Sequence, residues 1–355
     1  MTKKQVLRTF AFLLLLFMVL VILCDLFEYQ NSNMSRRYQK YKELADNTVD
    51  AVYIGTSGVD RYWISSKAYE EYGMTVYPLS TEGLPAWLVK NLLKEALKYQ
   101  DPQLVIFDVR PFIFGNYGDH VDITDVRIRR VIDMLPFLSF NRIDAIHRSE
   151  TVMREVDPEF SVFDSMYYFS FVRYHNKWSD DSFSFDELDV ERAGYMGFYV
   201  AKSLSTKRAA VAESAYNDEY VDLDPVSSRY LYELFDYIRE QDLNVLFVDS
   251  IVQVTEEERG IRNTLWKILD EEGFDYVSYN EPEYDALFSR EKETSVFYNS
   301  SHVNYYGAEI YTELFSAYLN EHYSLPDRRS EEAVQKDWDG IYAKTVKRIK
   351  TIEKK

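Results

Sequence analysis

Fifteen consecutive apolar residues, Phe10 to Cys24, lie close to the first residue of the chain. Three basic residues precede this run (Lys3, Lys4 and Arg8), and no acidic residue does. A helix of this composition has no polar face to turn toward water, so it needs a bilayer or a deep core around it. The basic flank predicts a membrane helix with its N-terminus in the cytoplasm and the rest of the chain outside.

The residues after the apolar run favour retention of this helix over its removal. Residues 25–28 (DLFE) lack the small side chains that signal-peptide cleavage requires, and those before Cys24 are too large for a lipoprotein signal. We therefore expect residues 1–27 to form a cytoplasmic stub and transmembrane signal anchor, and residues 28–48 to form a stalk. A cytoplasmic main domain would require the positive-inside rule to fail.

The charge and the cysteine content exclude several classes of function. The chain has 41 Lys and Arg against 59 Asp and Glu, a formal net charge of −18, which argues against nucleic acid as the main partner. A single cysteine, Cys24, rules out an intramolecular disulfide framework and a cysteine-based zinc site. The five histidines show no HExxH spacing. We expect neither a metal nor another cofactor.

Short apolar segments alternate with segments of helical periodicity through most of the remaining chain. Strands are predicted at 51–54, 75–79, 104–107, 245–248 and 274–279, and helices at 84–99, 229–239, 256–272 and 307–319. This alternation predicts an α/β fold with a parallel sheet covered by helices on both faces. Ligands of such sheets bind beyond the carboxyl ends of the strands.

One long stretch interrupts the alternation and divides the predicted α/β domain into two parts. Residues 49–111 and 226–322 form that domain, and residues 112–225, which are acidic and rich in aromatic side chains, form a mostly helical insertion or lid. A second small structural lobe is the alternative for the insertion. Residues 323–355 form a C-terminal helical tail whose last part, residues 343–355, is basic. This part is expected to be a frayed, solvated helix, and contact with an anionic polymer or lipid is the alternative.

Two polar motifs carry possible chemistry. Residues 54–57 (IGTS) place Ser57 on a glycine turn at the carboxyl edge of the first strand, and residues 299–302 (NSSH) place His302 before the last predicted helix. The turn is not a GxSxG elbow, because Val59 stands where the second glycine would be. Each motif alone is more typical of an ordinary turn. Together they can reach one crevice, where His302 can accept the proton of Ser57 and later return it.

In order and spacing, roughly residues 50–320 resemble the SGNH/GDSL hydrolase superfamily, including its extracytoplasmic, membrane-anchored DltD-like branch. Ser57 matches the family's nucleophile, and Gly83, in the loop at 80–83 (STEG), matches the glycine whose N–H helps to form the oxyanion hole. His302 matches the histidine of the last block, and residues 174–178 (YHNKW) resemble part of the branch's insertion. The resemblance implies a three-layer α/β/α sheet of the SGNH hydrolase or flavodoxin-like type.

Two positions differ from the family pattern. Asn299 occupies the place of the triad aspartate, and Asp108 and Arg110 occupy the region that usually supplies an oxyanion asparagine. An amide in place of the aspartate of a serine triad can cost about 10⁴ in turnover, or about 5.5 kcal/mol, although Cys-His-Asn sites work with an amide. The site is therefore a Ser57–His302 dyad oriented by Asn299, a weak site, or a site with an acid from one of three aspartates: Asp60, Asp249 or Asp108. Arg110 either donates to the oxyanion or pairs with a nearby acid.

The resemblance implies acyl-ester chemistry: hydrolysis or transfer of a small O-acyl group on a cell-surface polysaccharide or teichoic-type polymer. Members of the DltD-like branch act alongside membrane-bound O-acyltransferases, so such an enzyme is the expected protein partner. The alternative is a non-catalytic scaffold that uses the same crevice to hold the polymer or to dock the acyltransferase. Asn299, together with Asp108 and Arg110 in the region that usually supplies the oxyanion asparagine, favours this alternative.

Overall fold

The computed structural model describes residues 2–26, 33–115, 121–161, 166–174, 194–200, 215–288, 296–299 and 301–354. Its first helix, α1, spans Lys3–Leu26. At 1.5 Å per residue these 24 residues extend about 36 Å, more than the hydrocarbon core of a bilayer. The span Lys3–Cys24 has a mean hydropathy of 2.8, and its most apolar 18-residue stretch is not buried in the described part of the chain. By length and composition α1 can therefore cross a membrane.

Five parallel strands form the central sheet, as the sequence predicts. They are Ala51–Gly55 (β1), Val76–Ser80 (β2), Leu104–Asp108 (β3), Val245–Asp249 (β4) and Asp275–Ser278 (β5), in the spatial order β2-β1-β3-β4-β5. The first four strands are buried along their whole length, which matches their uniformly apolar sequences, whereas β5 is a partly exposed edge.

The strand order reverses at β1, which lies between β2 and β3. The chain connections on the two sides of β1 run in opposite directions, which leaves a crevice at the carboxyl end of this strand. Open α/β sheets bind their ligands in such a crevice. Ser57 lies two residues beyond the last residue of β1. The topology thus places Ser57 at the crevice.

Helices cover both faces of the sheet. Beyond α1 they are Asn33–Glu43 (α2), Ser57–Asp60 (α3), Ser65–Tyr72 (α4), a 3₁₀ turn at Ala86–Leu88, Val89–Ala96 (α5), Arg110–Ile113 (α6), Val121–Ile132 (α7), Phe140–Val156 (α8), Ser170–Tyr174 (α9), Pro225–Glu240 (α10), Glu256–Glu272 (α11), Pro282–Asp285 (α12), Tyr305–His322 (α13), Glu332–Trp338 (α14) and Ile341–Glu353 (α15). A two-stranded antiparallel hairpin, Phe297–Asn299 (β6) and His302–Val303 (β7), precedes α13.

Alternate residues of the strands enter two separate hydrophobic cores, one on each face. Val52 and Ile54 of β1 pack in the core that includes side chains of α2, α5, α8, α10 and α11, whereas Ala51 and Tyr53 pack in the core beside α4, α13 and α15. This period of two is the geometry of an extended strand, and it makes the fold an α/β sheet with a layer of helices on each side.

All four helices predicted inside the α/β domain are present. The ends of α11 agree with the prediction, whereas the ends of the other three helices are shifted. A capping box between Thr255 and Glu258 starts α11, and Gly273, in the left-handed conformation, ends it. The segment predicted as a helix at 84–99 begins later, with the 3₁₀ turn that follows Pro85. Its α-helical part then runs from Val89 to Ala96.

Two segments expected outside the domain are packed against it. The predicted stalk contains α2, which buries Met34, Tyr38 and Tyr41 on the sheet. The basic tail was expected to be frayed, but α15 buries Ile349 and Ile352 in the second core, so that expectation was wrong. Both helices carry their few apolar residues on one face, and that face is covered.

The described part of the predicted insertion is helical, with α7, α8 and α9. Ile128 of α7 and Ala145 of α8 belong to the same core as the sheet, so these helices are continuous with the α/β domain and are not a separate lobe. Of the YHNKW segment at 174–178, only Tyr174 lies within the described residues, where it ends α9.

Candidate active site

The turn that carries Ser57 is held by the end of β3. Asp108 accepts hydrogen bonds from the Thr56 N–H (2.9 Å) and the Thr56 hydroxyl (2.5 Å), while the Thr56 hydroxyl oxygen caps α3 by accepting from the Gly58 N–H. A Cβ at Gly55 would lie 2.2 Å from the Cβ of Asp108, so only glycine permits this approach of β1 and β3. Ser57 therefore starts a short helix in a fixed position.

Ser57 and His302 are in contact although 245 residues separate them. The distance between Ser57 Oγ and His302 Nε2 is 2.7 Å, and His302 Nδ1 lies 3.0 Å from Asn299 Oδ1. The hairpin of β6 and β7 brings Asn299 opposite His302. The structure thus joins the two sequence motifs into one hydrogen-bonded row, Ser57–His302–Asn299.

The hydrogen bonds around Asn299 determine which imidazole nitrogen carries the proton. Asn299 Oδ1 accepts from the Ser301 N–H at 2.9 Å, which identifies this atom as the amide oxygen. An oxygen can only accept, so His302 Nδ1 is protonated and donates to it. Nε2 then has a free lone pair that accepts the Ser57 hydroxyl proton, the arrangement required of a general base.

Burial lowers the pKa of His302 to about 3, and the positive charges of Arg61 and Arg110 contribute to this shift. Each of these factors disfavours the imidazolium form. No carboxylate opposes them at the Nδ1 side, because Asn299 is uncharged. His302 is therefore neutral near pH 7 and is a weak base.

The three aspartates considered as alternative acids bind other groups. Asp60 forms a buried ion pair with Arg37 of α2 and accepts from Ser80 Oγ. Asp249 is paired with Arg262 at 2.8 Å, with both side chains fully buried. Asp108 holds Thr56. Asn299 is accordingly the residue that orients His302.

Arg110 clamps the loop that carries His302. Its guanidinium donates to the carbonyl oxygens of Ser301 (3.1 Å) and Ser250 (3.4 Å) and to the Tyr62 hydroxyl (3.0 Å). Only the Arg110 backbone N–H bonds to Asp108. Arg110 Nη1 and Nη2 are engaged by backbone carbonyls and Tyr62, whereas Nε has no hydrogen-bond partner among the described residues. Both roles considered for the Arg110 side chain, donor to an oxyanion or partner of an acid, stay predictions.

Two backbone N–H groups at this edge of the sheet donate to no acceptor within the described residues. Within the described ranges, neither the Ser57 N–H, at the start of α3, nor the Gly83 N–H has a hydrogen-bond acceptor. The loop with Gly83 follows β2 directly, and Thr81 N–H bonds to the carbonyl of Gly55, so both groups lie at the same sheet edge. Gly83 has a φ of 63°, a conformation that glycine adopts without strain.

Charged side chains surround the Gly83 loop. One comes from Arg61, the residue directly after α3, and others come from α7. Glu82 pairs with Arg61 at 3.3 Å and with Arg130 of α7 at 3.2 Å, and a Cβ at Gly83 would lie 2.4 Å from Arg127 Nε. Arg61 also stacks on Tyr199, 4.5 Å from the ring centre. Arg61 and Tyr62 were not predicted as site residues, because the only signal for them in the sequence is their place about one turn after Ser57.

Among the residues that the structure describes, no three His, Cys, Asp or Glu side chains are placed to hold a metal ion. No family model and no curated protein matches the chain. The feature of the chain that bears on its function is therefore the geometry of the Ser57–His302–Asn299 row.

Proposed function

We propose that this chain is a membrane-anchored serine esterase or O-acyltransferase of the SGNH type, with its site outside the cell, acting on O-acyl groups of a cell-envelope glycopolymer. The observation that carries the proposal is the pair of contacts from His302, 2.7 Å to Ser57 Oγ and 3.0 Å to Asn299 Oδ1. A nucleophile that contacts a base, which in turn contacts an orienting group, is the geometry typical of enzymes that catalyse nucleophilic acyl transfer.

In the proposed reaction, Ser57 Oγ attacks the carbonyl carbon of the ester while its proton moves to His302 Nε2. The tetrahedral intermediate collapses as the bond to the leaving alcohol breaks, and the imidazolium returns the proton to that alcohol. An acyl-serine remains. Water then completes hydrolysis, or a polymer hydroxyl completes transfer, by the same steps in reverse order.

The negative charge on the carbonyl oxygen during each step requires donors that are already in place. The N–H groups of Ser57 and Gly83 fill this role, since both lie at the carboxyl edge of β1 and β2 and neither has an acceptor within the described residues. Loss of one such donor typically costs a factor of about 10² to 10³ in turnover. Arg110 acts as a positioning residue through Ser301.

The amide of Asn299 sets a limit on this chemistry. It fixes the tautomer and the ring orientation of His302, but it adds no negative charge to stabilise the imidazolium. With the pKa of His302 lowered to about 3, proton transfer from Ser57 to His302 is unfavourable, which limits the rate of the proposed reaction.

The anchoring and orientation form part of the proposal. Lys3, Lys4 and Arg8 on the first turns of α1 favour a cytoplasmic N-terminus, which directs residues 28–355 to the outer surface. There the acceptor is a polysaccharide or teichoic-type polymer, and the acyl donor is supplied by a membrane-bound O-acyltransferase.

Covalent labelling of the detergent-solubilised full chain with a fluorophosphonate probe tests the proposal. We expect labelling that requires both Ser57 and His302, so Ser57→Ala and His302→Ala abolish it. Ser324→Ala, at an exposed serine outside the site, serves as the matched control and labels like the parent. Labelling that persists in Ser57→Ala contradicts the proposed nucleophile.

The uncharged triad position supports a second candidate, a non-catalytic scaffold that binds polymer or acyltransferase in the same crevice. Its distinguishing result is an unlabelled parent together with a labelled Asn299→Asp variant. Under this alternative, Ser57→Ala leaves surface acylation in cells unchanged, whereas removal of α1 abolishes it.

A further inference from the structure

Large apolar side chains protrude at the start of α8, from the turn before it and from its first turn. Leu138 is 59% exposed and Phe140 is 91% exposed, and Ile143 on the first turn of α8 is 49% exposed. Single exposed apolar residues are ordinary, but neighbours of this size that all point outward indicate a surface that is covered in the working protein.

A second exposed apolar segment adjoins this turn. Met166 is 38% and Phe169 is 43% exposed. The rings of Phe137 and Phe169 are in contact, with centres 6.2 Å apart, and Arg142 donates to the carbonyl of Tyr167 at 3.3 Å. We call Leu138, Phe140, Ile143, Met166 and Phe169 together the apolar patch.

The apolar patch lies beside the end of the membrane helix. Ser170 Oγ, next to Phe169, donates to the carbonyl oxygen of Cys24 at 2.9 Å, and Cys24 is buried where α1 meets α9. Most apolar side chains of α1 before Cys24 are exposed, which suits a helix surrounded by lipid. With α1 in a bilayer, the boundary of the bilayer falls near Cys24, which is also the level of Phe169.

We propose that the apolar patch inserts into the outer boundary of the bilayer that α1 crosses. The occupant is lipid because the patch continues the exposed apolar surface of α1, whose contact with α9 sets both at the same depth. Phe, Leu, Ile and Met side chains suit the region between headgroups and acyl chains. This inference rests on α1 being inserted in a membrane, and it does not depend on the chemistry of Ser57.

Helix α7 connects the apolar patch with the candidate active site. Asp125 on α7 accepts from the Tyr167 hydroxyl at 2.8 Å, and two residues along, Arg127 lies against Gly83, while Arg130 pairs with Glu82. Insertion of the apolar patch would thus set the orientation of the Gly83 loop relative to the membrane. The site would face substrates at the membrane surface.

An environment-sensitive fluorophore, NBD, attached to single cysteines of the full chain tests this proposal. In a Cys24→Ala background, Leu138→Cys and Phe140→Cys report on the apolar patch. Thr151→Cys, an exposed polar position about three turns along the same helix, is the matched control, and Leu15→Cys in α1 reports on insertion of the anchor. The labelled chains are reconstituted in phosphatidylcholine vesicles with and without doxyl-labelled lipid.

We expect blue-shifted emission and quenching by doxyl lipid at positions 138 and 140, and neither effect at position 151. Probes at 138 and 140 that behave like the probe at 151 overturn the proposal. Quenching at position 15 then shows that α1 is inserted and that the apolar patch is covered by something other than lipid. Absence of quenching at position 15 shows that the anchoring itself has failed. Fluorophosphonate labelling of each variant tests Ser57 separately.

Discussion

Arg110 Nη1 donates to the carbonyl oxygen of Ser301 across 3.1 Å, and Ser301 is the residue immediately before His302. Burial and then Arg61 lower the pKa of His302 most, and Arg110, which adds to this shift, is also the group that holds the His302 loop in place. Charge and position can be separated by substitution, because lysine keeps the charge without the planar fork of donors.

Arg110→Met removes both the clamp and the positive charge. We expect labelling to slow by about 10²-fold, the typical cost of misplacing a reacting group by about 1 Å. Loss of the charge also raises the pKa of His302. Because the base must be neutral, the acid limb of the labelling rate moves to higher pH. The measurement is the pH profile of fluorophosphonate labelling in Arg110→Met and Arg110→Lys. We expect Arg110→Lys to label more slowly than the parent without a shift of its acid limb. The same pH profile in both variants would argue against an effect of the Arg110 charge on the pKa of His302.

Asn299→Asp places a carboxylate beside His302 Nδ1. The new charge stabilises the imidazolium, so the pKa of His302 rises, and we expect labelling near pH 7 to become faster, by up to about 10⁴. The acid limb moves to higher pH for the same reason. Asn299→Leu, which cannot accept from His302, is the matched control and is expected to label more slowly than the parent. An unchanged rate in Asn299→Asp would mean that charge at this position does not limit the reaction.

Gly83→Ala places a side chain at a φ of 63° and against Arg127. The left-handed conformation costs about 1 to 2 kcal/mol for an L-residue, and we expect labelling to fall by about 10²- to 10³-fold as the Gly83 N–H shifts. Gly340→Ala has a similar φ of 70° with no atom within 4 Å of the added Cβ, so it carries the strain without the displacement. Thermal unfolding measures the strain in both variants. If both lose labelling equally, the Gly83 N–H has no special role.

Thr56→Val keeps the shape of the side chain and removes its hydroxyl. The hydroxyl donates to Asp108 and caps α3, so we expect unfolding to become easier by about 1 to 3 kcal/mol, with slower labelling. Denaturant unfolding of the full chain in detergent measures the first effect. Thr56→Ser retains both hydrogen bonds and is expected to stay within about 1 kcal/mol of the parent. A Thr56→Val chain as stable as the parent would contradict the role assigned to this bond.

Much of the fold is predictable because its signals are local. Each of the first four strands is a short, mostly apolar run whose two faces are both buried, so hydrophobicity alone predicts its position to within about one residue. The ends of α11 follow from Thr255, Glu258 and Gly273, which satisfy the free backbone groups of the helix ends. The packing of α2 and α15 was not predicted, since their partners on the sheet are distant in the chain.

For the site, the sequence by itself determined which residues have suitable chemistry and at which sheet edge Ser57 stands, because a glycine turn after an apolar strand is a local feature. Only the tertiary structure decided that Ser57 meets His302, that Asn299 and none of the three aspartates orients the imidazole, and that Arg110 serves the backbone of the His302 loop. Hydrogen bonds depend on distance and angle between atoms on separate elements, and these are settled only when the hairpin, the sheet and α3 pack together.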